Sequence, residues 1–211
     1  METLVAIFII MLAITGPMVF TQNALRAAFL SRDQITAFFL AQDAIEYIKN
    51  IRDGHVVDII KSSSDSPSGW LGETPTGHGN LIDLCLGVGN TDKGCSVDTR
   101  LDETKIISCA SDSNVGCVTD GSDITRYKPL NYVEDSNGSY FTNQNEGVPS
   151  LFAREIKMKD VYDGDSAKEN REVEVIVTIR WKSHEGVGTR EIVVKENIYN
   201  WANALLSQST P

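Results

Sequence analysis

From Thr3 to Leu25 the chain carries no charged residue, and most of that stretch is Leu, Val, Ile, Phe, Met and Ala. A lone acid, Glu2, precedes it, and the first base is Arg26. About 20 apolar residues are enough for a helix to cross a bilayer. A soluble core helix is seldom apolar on every side. Residues 1–25 therefore read as a segment that must sit in lipid or be bundled with copies of itself.

The flanks of this segment constrain it further. A secretory signal needs a basic start, a shorter apolar core and a small-residue cleavage site. Here the start is Met-Glu, and Gly16-Pro17 is not followed by such a site. Orientation in a membrane follows Lys and Arg on the cytoplasmic side. Arg26 and Arg32 lie on the C-terminal side, which taken alone would place the rest of the chain in the cytoplasm. The four cysteines, Cys85, Cys95, Cys109 and Cys117, argue the other way. Their number is even, none forms a CxxC pair, and His55, His78 and His184 are scattered, so zinc is disfavoured. Two disulfides in an oxidising compartment are the preferred reading, with four free thiols as the alternative. Three connectivities exist, and the short-range pairing Cys85–Cys95 with Cys109–Cys117 is preferred. A basic leader ahead of Met1 would reconcile the cysteines with the membrane segment.

The helical pattern continues beyond the apolar run. Leu25, Ala28, Phe29, Ile35, Phe38, Phe39, Ala41, Ala44, Ile45, Ile48 and Ile51 recur at three- and four-residue steps. Arg32, Asp33, Gln42, Asp43, Glu46, Lys49 and Arg52 fill the other face. Asp53-Gly54 reads as a stop. One helix over residues 1–52, about 75 Å long at 1.5 Å per residue, is expected: an apolar half to residue 25, then an amphipathic half over 26–52 packed on a head. Gly16 and Pro17 interrupt it, either as a simple kink or as a place where the helix melts and stretches.

Residues 53–211 form the expected head. Residues 61–150 are rich in turn formers and hold the cysteines, so they read as a loop-rich, disulfide-pinned region with a few short strands. Order returns over 151–200. Leu151–Lys159 alternates, with Phe152, Ile156 and Met158 on one side. Val173, Val175, Val177, Ile179 and Trp181 share a face, and Thr189–Tyr199 supplies a third strand after a Gly-containing loop. The fold class expected is α+β: a long N-terminal helix laid on an antiparallel meander. Trp201, Leu205 and Leu206 are expected to cap the sheet edge.

The stretch Glu2-Thr3-Leu4-Val5-Ala6-Ile7, with the apolar run behind it, resembles the N-terminus of type IV pilins and of the pseudopilins of type II secretion. The likeness is specific over the first 20 residues and architectural beyond them. It implies a basic leader ending in glycine, removed by a dedicated peptidase, and methylation of the new N-terminus. Glu2 matches the family's glutamate, with Met1 either just ahead of it or the mature end itself. In many members the proline lies further from the glutamate than Pro17 does from Glu2. The resemblance implies a structural subunit that starts as an inner-membrane precursor and polymerises, with its assembly machinery, into an extracellular helical filament of identical subunits. Glu2 would set the stagger by meeting a neighbour's N-terminal ammonium. A pseudopilin forming a short periplasmic piston is the alternative, and a membrane-anchored enzyme or ligand-binding head is the third.

Other chemistry is thinly represented. A net charge of −10 disfavours nucleic acid as a partner. No GxSxG, HExxH, phosphate loop or dinucleotide-binding glycine pattern occurs, so no enzyme and no organic cofactor is expected. Asp160, Asp163 and Asp165 read as a solvated acidic turn, with calcium as the weaker alternative, since their spacing is not that of an EF-hand. Some pseudopilins bind calcium in a C-terminal loop. Asn137-Gly138-Ser139 is a glycosylation triplet of the kind that also arises by chance.

Overall fold

A computed structural model describes residues 2–62, 70–71, 85, 94–100, 106–109, 117, 128–136, 138–161, 172–183 and 188–201. The N-terminal pattern becomes a single helix, α1, Glu2–Ser62. It continues through Pro17, although proline removes an intrahelical bond and an interior proline costs about 3 kcal/mol. The Thr15 hydroxyl donates to the Met11 and Leu12 carbonyls at 3.0 and 3.3 Å, and the Thr21 hydroxyl to the Pro17 carbonyl at 2.8 Å.

The helix also continues past the expected stop at Asp53-Gly54, and the reason is tertiary. Arg52 Nε donates to Asp53 Oδ1 at 2.8 Å, and the indole N–H of Trp201 donates to the same oxygen at 3.1 Å. Val56 is fully buried one turn further on. These contacts outweigh the roughly 1 kcal/mol that an interior glycine costs. Trp201 is thus tied to the helix and packs against the core. Leu205 and Leu206 lie outside the described residues.

Five strands form the main sheet: β1 (Cys95–Ser96), β2 (Ile107–Ser108), β6 (Phe152–Asp160), β7 (Glu172–Lys182) and β8 (Thr189–Tyr199), ordered β2-β1-β6-β7-β8. The expected meander is β6, β7 and β8, paired antiparallel in that order. A second sheet, ordered β4-β3-β5, joins β3 (Asn131–Asp135), β4 (Gly138–Thr142) and β5 (Val148–Pro149). The architecture is α+β, as the alternating patterns indicated.

The period-2 pattern explains the packing. Val173, Val175, Val177, Ile179 and Trp181 on β7 are all buried, and their cross-strand partners on β6 are Asp160, Met158, Ile156, Arg154 and Phe152. Partners in an antiparallel pair share a face, so the face that meets α1 includes Arg154 as well as the apolar residues. From the helix, Ala37, Leu40, Ala41, Ala44, Ile45, Ile48 and Ile51 enter the same core. Small residues at three- and four-residue spacing let helix and sheet approach closely.

The expected helix stripe needs correction here. Leu25, Ile35, Phe38 and Phe39 remain largely exposed, outside the head's core. Asp33, expected on the polar face, is buried. The amphipathic half therefore has two apolar faces, and the head covers the one built on alanines. Trp70 and Leu71, from a stretch that reads as turns, are also buried in the core.

Two disulfides pin the region ahead of the meander. Cys85 joins Cys95, and Cys109 joins Cys117. Gly94, just before Cys95, has a φ of 71°, and a Cβ there would lie 2.7 Å from the Ile156 carbonyl oxygen. Only glycine lets β1 approach β6 this closely.

Candidate functional site: an apolar rod and its collar

The candidate assembly residues Glu2, Gly16 and Pro17 all lie on the free half of α1 and are exposed. Every large apolar side chain between Leu4 and Leu25 is more than half exposed. Fully burying an apolar side chain is worth about 1.5–3 kcal/mol, so covering this segment is worth on the order of 20 kcal/mol. That exceeds the roughly 5–15 kcal/mol by which a domain is stable. The segment is long and apolar enough to cross a membrane. With two disulfides, which persist in oxidising compartments, the described features point to a head outside the cytoplasm on an apolar anchor.

Gly16 has open space where a Cβ would go, so nothing in the folded chain requires glycine there. Pro17 leaves the Ala13 carbonyl without its helical donor. Amides around residues 16–21 are expected to exchange faster than those on either side in detergent micelles. Pro17→Ala should slow them by up to about 100-fold, corresponding to about 3 kcal/mol of helix stability. Hydrogen exchange read by mass spectrometry checks this.

Below the rod, a polar network ties α1 to the sheets. The guanidinium of Arg154 is fully buried. Its Nη1 donates to the Leu40 carbonyl at 3.1 Å and to Asp43 Oδ2 at 3.0 Å, and its Nη2 to the Val97 carbonyl at 2.8 Å. Burial pushes the Arg154 pKa down, and Asp43 opposes that shift. Asp43 also accepts from the Thr99 hydroxyl at 2.7 Å. Next to it, the buried Asp98 accepts from Arg100 Nε and Nη2 at 3.2 and 3.0 Å, and from the Thr142 hydroxyl. Arg100 in turn meets Glu146 at 3.1 Å and stacks 3.4 Å from the centre of the Tyr140 ring. Helix, main sheet and small sheet share this one network. Sequence patterning passed over Arg154 because only the apolar members of its strand face were counted.

At the lower end, the Arg52 guanidinium holds the Asp53 carboxyl below its usual value of 3.8, helped by Trp201 and opposed by desolvation. A lowered carboxylate pKa adds stability above the unfolded pKa and loses it as pH falls through the folded one. The Trp201–Asp53 contact should therefore persist at neutral pH and release only as the pH falls below the usual carboxylate value of 3.8. The Trp201 indole N–H resonance, followed during an acid titration, reports it.

The remaining expectations are placed as follows. Asp163, Asp165 and Asn137 lie outside the described residues; Asp160 ends β6, and its side chain is not described. Among the described residues, no group of three or more His, Cys, Asp or Glu is placed to hold a metal ion. Compared with known protein families, curated proteins and solved structures, the chain matches none.

Proposed function

We propose that the chain is the structural subunit of an extracellular filament of the type IV pilus kind, assembled by bundling residues 2–25 of many copies. The observation that supports this is the apolar rod itself: it projects from a folded, disulfide-bonded head and touches none of that head's core. A lone membrane anchor would also shelter the rod. Glu2 is what favours assembly. A carboxylate inside hydrocarbon costs about 2.5–3.5 kcal/mol, and the helix dipole returns about 0.3–1 kcal/mol of that. A neighbour's ammonium would offset the rest. The exposed residues Leu25, Ile35, Phe38 and Phe39 give the bundle a continuation alongside the heads.

Electron microscopy of the surface of cells producing the chain, with mass spectrometry of its N-terminus, tests the reading. Thin fibres containing this chain, trimmed and methylated ahead of Glu2, are the expected result. A chain that stays in the membrane fraction with no fibres would refute it.

A further inference from the structure

The half of α1 beside the head carries a second seam, on the side away from the sheet. Ala28, Arg32, Ile35 and Phe39 follow one another at alternating four- and three-residue steps, the spacing of a seam between helices. All four are exposed, Ile35 and Phe39 by more than half. The head takes Ala37, Ala41 and Ala44 from the opposite face. Arg32 is the one charge among the four. Its neighbours at three and four residues are Ala28, Phe29, Ile35 and Thr36, so no acid on its own helix is placed to pair with it. Among the described residues its side chain makes no hydrogen bond or ion pair. The β7–β8 hairpin approaches α1 at Leu30 and Asp33, about 100° or more around the helix from Arg32.

Bundling turns this seam toward another copy, where an unpaired guanidinium would be costly. The apolar half of a second copy supplies what is missing. Residues 2–25 hold one charged group, Glu2. Glu2, Val5, Ile9 and Leu12 form a seam of the same kind, and Val5, Ile9 and Leu12 are each more than half exposed. Glu2 and Arg32 are about 45 Å apart along the helix at 1.5 Å per residue. A parallel copy shifted by that length brings its Glu2 to Arg32, its Val5 to Ile35 and its Ile9 to Phe39. Charge meets opposite charge at the first step, and apolar meets apolar at the other two. We infer that α1 of one copy docks on α1 of a second at this shift, with the Arg32 guanidinium on the second copy's Glu2 carboxylate. Guanidinium and carboxylate pair through two parallel hydrogen bonds, among the stronger polar contacts. A carboxylate also has room for a further donor, so a third copy's N-terminal ammonium can share it. The inference rests on the filament reading above and adds which parts of two copies touch.

The test uses the full-length chain in cells that assemble it. Val5→Cys and Ile35→Cys are combined, and sheared fibres are oxidised with copper phenanthroline. The double variant should give a ladder of covalent oligomers on non-reducing gels, since each copy then links to one above and one below. Either single variant should stay monomeric. In a second arm, Arg32→Glu should cut fibre number at least tenfold with membrane content unchanged, and Arg32→Lys should keep most fibres. The second arm needs no added cysteine and stands by itself. Fibres of the double variant that give no ladder, dimers from Ile35→Cys alone, or wild-type fibre number from Arg32→Glu would overturn the shifted contact. Electron microscopy of the parent separates the two failures. A parent chain without fibres removes the filament reading and this contact with it. A parent with fibres, beside a failed ladder or an indifferent Arg32→Glu, removes only the contact.

Discussion

Arg154→Ala will lower the stability of the head by about 3–5 kcal/mol, from two core carbonyls left without a donor, at about 1–3 kcal/mol each, and from the cavity left behind. The side chain is fully buried and makes three hydrogen bonds, to Leu40, Asp43 and Val97. Alanine would leave two backbone carbonyls without their donor in the core, together with a cavity. The loss would not stop at β6. The strap of residues 97–100 loses its bond from Arg154 to the Val97 carbonyl and keeps only the Thr99 hydroxyl's bond to Asp43, and Asp98 loses a nearby positive charge. Urea denaturation of residues 26–211 measures this, since the rod makes no core contact that truncation would remove. A midpoint within experimental error of the parent would show that the network does not hold helix to sheet. Arg154→Met should cost less, because it refills volume while still losing the donors.

Glu2→Ala should abolish fibres while leaving the head's stability unchanged. The side chain is exposed at the far end of the rod, remote from the head's core. The physical argument separates two roles. If the rod were only an anchor, replacing a carboxylate by a methyl group would ease insertion by about 2.5–3.5 kcal/mol and membrane retention would rise. If Glu2 answers a neighbour's ammonium, the same change removes the contact that fixes register, and assembly fails even though each subunit sits more comfortably in lipid. Fibres counted by electron microscopy, with membrane content measured in parallel, distinguish them. Wild-type fibres from Glu2→Ala would contradict the role given to Glu2.

Much of the architecture was legible because its signals are periodic. Leu151–Lys159, Arg171–Trp181 and Thr189–Tyr199 alternate in twos, and β6, β7 and β8 follow within a residue or so. Short cysteine spacings gave the disulfide pairs. Three features were not legible, for separate reasons. The helix runs on to Ser62 because Trp201 and Arg52 secure Asp53 and because Val56 is buried, and none of this is local in sequence. The helix stripe was read too wide because phenylalanine outweighs alanine in any apolar count; the head packs on Ala37, Ala41 and Ala44 and leaves Phe38 and Phe39 outside. The β3–β4 hairpin was merged into the loop region, although Tyr132, Val133, Tyr140 and Phe141 flank an Asn-Gly turn signal. Its pairing of Tyr132 with Phe141, rings 5.4 Å apart, carries the small sheet onto Phe152 and the core.

The claim beneath all of this is that residues 2–25 cannot rest in water. Analytical ultracentrifugation of the purified full-length chain, with and without detergent, puts it most directly to the test. Large assemblies or precipitate without detergent, and one defined protein–detergent species with it, are the predicted outcome. A single monomeric boundary in plain buffer would contradict the account.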